Sequence, residues 1–443
     1  MYIFASIINN MAMKKILLLM LMSLPAMMQA RTEFTQAVFD FSTPKDKGEV
    51  LAVTPQTTFD EERGYGYDFG RGWDGKSAAP FYFSVNVPDG NYRVTVTLGS
   101  KKRAGETTVR CESRRLFVWN EATAKGKTYS KTFVVNKRNT KYIDEKGNET
   151  AVKIKPREKT KLNWDDKLTF EFNGDAPCVQ RIEIVKDDQV PTMFLCGNST
   201  VVDQDNEPWA SWGQMITYYL DDQIAVANYA ESGETATSFR AAGRLAKIVS
   251  LMKEGDYIFM EFGHNDQKSD SKVGNGAFYS FQHELKYFVD YARQKGAQAV
   301  FCTPTRRRHF DDNNRIKDTH LDYPEAVIFM ADREGLPYID LQRDTKIMYE
   351  AWGPETSKHA LVHYPAGTWP GQDKAFADDT HFNPFGAMQI AKLVLKGIQE
   401  KVPALAGHVL SAFDGIDPAH PADWQSFKWA NAVNSEVEKP DGN

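Results

Sequence analysis

The chain has little cysteine, no basic excess and no long apolar run, and each lack narrows what it can be. Its four cysteines, at 111, 178, 196 and 302, form no CxxC pair, which excludes a disulfide scaffold. Lys and Arg number 54 against 59 Asp and Glu, a formal charge of -5, the wrong sign for a general nucleic-acid binder. No apolar stretch reaches the ~20 residues that cross a bilayer. No glycine-rich phosphate loop of the GxxxxGK[ST] or GxGxxG kind is read after a strand, so nucleotide binding is not expected. What remains, 443 residues at 42% hydrophobic and 26% charged, suits a soluble protein of two or three domains.

Residues 1–30 stand apart. Lys14-Lys15, the apolar run Ile16–Leu24, Pro25 and the small residue Ala30 follow the order of a secretory signal peptide. This pattern predicts export to the periplasm or exterior of a bacterial cell, with Met13 as the natural start and no membrane insertion afterwards. Removing the segment takes away Lys14 and Lys15 but no acid, so the rest is more acidic by two charges.

Two periods divide the remainder. From Phe34 to about Lys186 apolar residues alternate, as in Phe81, Phe83, Val85, Val87 and Tyr92, Val94, Val96, Leu98 around Pro88-Asp89-Gly90-Asn91. That spacing predicts a hairpin within an all-β sandwich at 31–189. Between Glu121 and Lys161 twelve Lys/Arg face five Asp/Glu, which fits either a patch for an acidic polymer or a solvated, lysine-protected face. Beyond Gln189, short apolar strands (Met193–Cys196, Ile224–Ala230, Asp256–Phe262, Gln298–Thr303, Pro337–Asp340) alternate with helical spacing. Such alternation predicts an α/β domain at 190–408 built on a parallel sheet, followed by an extension at 409–443. The chemistry of such a sheet sits in the loops after its strands.

Four of those loops carry reactive groups. Ser199 follows the first strand in Gly197-Asn198-Ser199-Thr200, where a hydroxyl can stand above the sheet. Gly233 follows the second with an unobstructed N–H. The third runs into Gly263-His264-Asn265-Asp266, where Asn265 can donate to an oxyanion. Asp378-Asp379-Thr380-His381 precedes Asn383-Pro384, a helix cap and first position. An Asp three residues before a His can fix the ring so that Nε2 serves as base toward a serine.

This ordered set resembles the SGNH (GDSL-type) hydrolase superfamily, most closely its rhamnogalacturonan acetylesterase-like members, over about residues 190–400. The stretch Thr303-Pro304-Thr305-Arg306-Arg307-Arg308 and Gly386-Ala387 after the last block resemble that subgroup too. The resemblance implies a three-layer α/β/α fold, Ser199 as nucleophile, His381 as base and Asp378 as its orienter. Ser199 N–H, Gly233 N–H and the Asn265 amide would form the oxyanion hole. One position departs: the family's usual Asp before the serine is Asn198. The sandwich resembles, by strand pattern alone, the galactose-binding-like domains fused to carbohydrate enzymes.

The reading that follows is an exported carbohydrate esterase removing acetyl groups from a pectic polysaccharide, rhamnogalacturonan, without cofactor or metal. Arg307 and Arg308 are expected to contact galacturonate carboxylates. Gln204, Asp205, Asn206 and Trp209 are expected to offer sugars a polar, aromatic surface beside the serine. Rival readings are an esterase on xylan or another acetylated glycan, and a non-catalytic carbohydrate-binding protein. A zinc site on His359 and His363, four apart as on one helix face, would require a helix there.

Overall fold

The structure, a computed structural model, describes residues 31–268 and 276–441; the expected signal peptide at 1–30 lies outside them. Alternating apolar side chains let ten strands of the N-terminal half close over one core as two five-stranded sheets. One sheet runs in the order Val50–Ala52, Gln36–Asp40, Val179–Lys186, Gly90–Gly99, Thr128–Lys137. The other runs Tyr65–Asp68, Phe81–Asn86, Lys167–Ala176, Gly105–Cys111, Arg115–Thr123.

The expected hairpin at 81–98 is instead a crossing between sheets. Phe81–Asn86 pairs with Tyr65–Asp68 and Lys167–Ala176, whereas Gly90–Gly99 pairs with Val179–Lys186 and Thr128–Lys137. Both strands bury the alternating residues completely, so their period fits either arrangement. The connection between them is what differs from a hairpin: Pro88 has no N–H to give, and Asp89 is held by Lys137 and Lys247.

A second correction concerns phosphate loops. Gly70–Ser77 does match both glycine patterns, and it follows the strand Tyr65–Asp68. It is an irregular link to the strand Phe81–Asn86 with no helix after it. The phosphate-binding context is therefore missing. Trp73 stacks on Phe81 at 5.2 Å, and the Asp74 carboxylate accepts from the N–H groups of Lys76 and Ser77.

The second half has five parallel strands: β1 (Thr192–Gly197), β2 (Ala225–Asn228), β3 (Tyr257–Glu261), β4 (Gln298–Cys302) and β5 (Tyr338–Ile339). They lie in the order β2-β1-β3-β4-β5. Because both faces are covered, consecutive residues of one strand enter different cores. Met193 and Leu195 pack with Trp212, Ile390 and Val394, while Phe194 and Cys196 pack with Ile248, Leu285 and Phe288. The helices responsible are α1 (Arg244–Leu251), α2 (Gln282–Lys295), α3 (Tyr323–Glu334), α4 (Leu341–Thr356) and α5 (Pro384–Lys401). None of the described helices is long and apolar enough to cross a membrane. All four cysteines are buried, free thiols.

Buried ion pairs join the two halves. Arg115 of the sandwich reaches the Val226 carbonyl at 3.1 Å and Asp203 at 3.4 Å, and Arg244 pairs with Glu158 at 2.6 Å. Residues beyond 409 run back over both domains. Lys428 reaches Glu106 and Asp175, Trp429 covers Arg110 and donates to Glu207, and Ser435 pairs with Glu207.

Candidate active site

In this strand order the chain reverses direction of travel between β1 and β3, and ligands of open α/β sheets bind beyond the strand ends at such a switch. Ser199 stands there, two residues after β1 and 4% exposed. Gly197 has no room for a side chain: a Cβ would lie 2.6 Å from Val201 and 2.9 Å from the Glu261 carbonyl. Asn198 shapes the turn. Its Oδ1 accepts from the N–H (3.2 Å) and hydroxyl (3.0 Å) of Thr200, as an aspartate could. Its Nδ2 donates to the Glu261 carbonyl at 3.3 Å, which an aspartate could not do.

His381 and Asp378 reach the serine from the antiparallel pair β6 (Leu361–Tyr364) and β7 (Phe376–Phe382). Phe382 faces Leu361, but the next pairing joins Asp378 to Val362. Residues 379–381 thus bulge out, and His381 folds back on Asp378. The ring lies 2.8 Å from Ser199 Oγ through Nε2 and 2.7 Å from Asp378 Oδ2 through Nδ1. The other Asp378 oxygen accepts from the N–H groups of Thr380 and His381. Burial opposes ionisation of Asp378, yet the His381 contact and these N–H bonds hold its carboxyl well below the usual range.

Two backbone donors complete the site. The N–H groups of Ser199 and Gly233 have no acceptor among the described residues. Asn265 Nδ2 donates to the Glu234 carbonyl at 3.1 Å, and Asp266 ties the same loops by accepting from Gly263 and Ala236 N–H. Ser199, Gly233, Asn265, Asp378 and His381 therefore share the rim that the sequence order indicated.

Arg307 and Arg308 are placed differently from expectation. Arg307 is 6% exposed and spends its terminal nitrogens on Thr319 and the His264 carbonyl. All three nitrogens of Arg308 are used, on Ser357, Asp379 and the Pro354 carbonyl. Neither offers a carboxylate an open fork; Arg308 braces the bulge that carries His381. Trp209 is 2% exposed and packs on Phe376, while Gln204 is buried and donates to the Ser199 carbonyl. Gln204 thus holds the serine turn and Trp209 packs inward on Phe376, so neither forms a sugar-facing surface. His359 lies in a one-turn 3-10 segment and His363 in β6, where it bonds Asp379. They do not share a helix face, and among the described residues no three His, Cys, Asp or Glu are grouped as metal ligands.

Several contributors had no sequence signal. Glu261, at the end of β3, is fully enclosed and accepts from Thr200 Oγ1 (2.8 Å) and Trp212 Nε1 (2.6 Å). Burial pushes its carboxyl up to about 7 against those bonds. Lys155, Arg157 and Lys161 reach the Gly233 loop from the sandwich. Spacing within the chain could not have linked them to residues about seventy positions away.

The GDSL-like lipase/acylhydrolase family pattern matches residues 195–388, the span that holds all five rim residues. Rhamnogalacturonan acetylesterase RhgT of Bacillus subtilis is 41% identical over 221 residues, 49% of this chain and 94% of that protein. The probable rhamnogalacturonan acetylesterase YesY of the same organism is 30% identical over 210 residues, 47% of this chain and 92% of that protein. Its uncharacterized esterase YxiM is 25% identical over 389 residues, 82% of this chain and 90% of that protein, and so extends over both domains. The chain belongs to the GDSL-like lipase/acylhydrolase family. Its α/β domain is that of a carboxylic ester hydrolase.

Proposed function

We propose that this chain is an exported carbohydrate acetylesterase that deacetylates pectic rhamnogalacturonan through a Ser199–His381–Asp378 triad. The observation that carries the reading is the unbroken chain from Ser199 Oγ through His381 to Asp378, at 2.8 and 2.7 Å, beside two N–H groups with no acceptor among the described residues. Ser199 Oγ attacks the acetyl carbonyl carbon while its proton passes to His381 Nε2. The carbonyl oxygen becomes an oxyanion, stabilised by Ser199 N–H, Gly233 N–H and Asn265 Nδ2. Collapse breaks the bond to the sugar oxygen, which takes the proton from His381 and leaves as a hydroxyl. Water then gives a proton to His381 and attacks the acetyl-serine; collapse breaks the bond to Ser199 Oγ, which takes that proton back from His381 as acetate leaves. Asp378 keeps the ring in the required tautomer throughout.

The names of the relatives that match most of their own length support an acetylated pectic glycan as substrate. The pattern at residues 14–30 supports export. Acetate released from acetylated rhamnogalacturonan and from acetylated xylan, measured side by side, tests the substrate. The reading predicts a clear preference for rhamnogalacturonan. A preference for xylan would reassign the glycan, and release from neither would contradict a carbohydrate esterase.

A further inference from the structure

Gly233 lies in a tight turn. Glu234 N–H donates to the Glu231 carbonyl at 3.2 Å, and Gly233 has φ +78° while Ser232 is not in the left-handed region. Those features define a type II turn with Ser232-Gly233 at its centre. The type I alternative differs mainly by a flip of the central peptide, and glycine tolerates both forms. A flip would reverse the direction of the Gly233 N–H, so something must choose between them.

The sandwich provides the choice. The Ser232 carbonyl accepts from Lys155 Nζ at 2.5 Å and from Arg157 Nη2 at 2.9 Å. In a trans peptide C=O and N–H point opposite ways, so holding this oxygen toward the sandwich turns the Gly233 N–H away from it. That N–H has no acceptor among the described residues. Neighbouring bonds stiffen the clamp: Lys155 meets Glu234 at 3.0 Å, and Glu231 meets Arg157 at 2.6 Å and Lys161 at 3.2 Å. The Glu231 N–H joins the loop to the end of β1 through the Gly197 carbonyl at 3.3 Å. Because Glu231 and Glu234 offset the cations, the clamp acts on orientation and on polarisation of the peptide more than by bare charge.

We infer that Lys155 and Arg157 are positioning residues of the oxyanion hole, by which the sandwich domain sets the Ser232–Gly233 peptide for catalysis. The inference rests on the esterase reading above and assigns the sandwich a part in the chemical step. The test is a Lys155→Met/Arg157→Met variant on a small neutral acetyl ester, which carries no charge for either side chain to bind. Losing one oxyanion donor costs ~10²–10³ in rate, so misplacing it should lower kcat at least about tenfold, with KM nearly unchanged. Inhibition by a small boronic acid, which adds to a serine as a tetrahedral anion, should weaken in proportion to kcat. Arg157→Lys should restore part of both, and Lys159→Met, at an exposed position of the same segment, should match wild type.

The single variants Lys155→Gln and Arg157→Gln are measured alike, so a poorly folded double variant does not decide the matter. Wild-type kcat and boronate affinity in folded clamp variants, with Ser199→Ala inert, would overturn this inference alone. A fall in kcat without a matching fall in boronate affinity would overturn it too. Acetate release persisting in Ser199→Ala would overturn the esterase reading beneath it.

Discussion

The two domains divide their work unequally. In the proposed mechanism the α/β domain supplies every atom that reacts, whereas the sandwich supplies groups that hold those atoms from outside. The same contrast separates the two basic segments. Arg306–Arg308 braces its own domain, with Arg308 gripping the bulge beside His381. The 121–161 segment crosses between domains, through Arg138 to the Asn228 carbonyl and through Lys155, Arg157 and Lys161 to the Gly233 loop. A count of positive charge along a chain therefore says little about where that charge is spent. Here much of it is spent on backbone carbonyls and buried carboxylates rather than on a polymer.

The largest expected effect lies on the reacting side. Ser199→Ala should cost ~10⁵–10⁶ in kcat, read by acetate release. Asp378→Asn should follow at ~10⁴, since it leaves the geometry but upsets the tautomer of His381; a loss of under about tenfold would remove Asp378 from the triad. On the holding side, Arg115→Met should take the nearest cation from buried Asp203, leaving it the Asn228 amide at 2.7 Å and the Arg138 charge, and destabilise the folded protein by up to about 3 kcal/mol, read by denaturant unfolding. A domain junction that tolerates this change would mean the interface is not held there.

Acid should loosen the clamp as well. Burial disfavours charged Glu231, but Lys161, Arg157, Arg244 and Lys155 hold its carboxyl down at about 2 in the folded protein. A depressed folded pKa gives stability that is present above the ordinary value near 4.5 and lost as pH falls toward 2. Wild type should lose more stability over that window than Glu231→Gln, as thermal unfolding would read. The smallest effect belongs to Arg308→Ala. It should lower thermal stability while leaving the KM ratio of acidic to neutral substrates unchanged within about twofold. A selective rise in KM for the acidic substrate would restore its expected substrate contact.

How much could be read from sequence follows from the same division. Ser199, Gly233 and Asn265 were legible because a parallel sheet brings successive strand ends together, so they needed only their order; the Asp378–His381 block, on the antiparallel pair β6–β7, was legible instead from its three-residue spacing before the helix cap Asn383-Pro384. The five parallel strands were legible as apolar runs. The crossing at Pro88 was not, since alternation at 81–98 reports burial and not which sheet a strand joins. Arg307, Arg308 and Trp209 looked available because residue type carries no measure of exposure. Lys155 and Arg157 escaped for a simpler reason: their partners belong to another domain. The match at Gly70–Ser77 shows the converse, a pattern present without the helix that would give it meaning.

The central claim is that hydrolysis proceeds through an acetyl group carried on Ser199. Rapid acid quenching of the protein during turnover of an activated acetyl ester, followed by peptide mass spectrometry, tests it directly. The account predicts one added acetyl group, located on Ser199 and missing from Ser199→Ala. Acetate released with no acetylated serine at that position, or at an undiminished rate by Ser199→Ala, would contradict it.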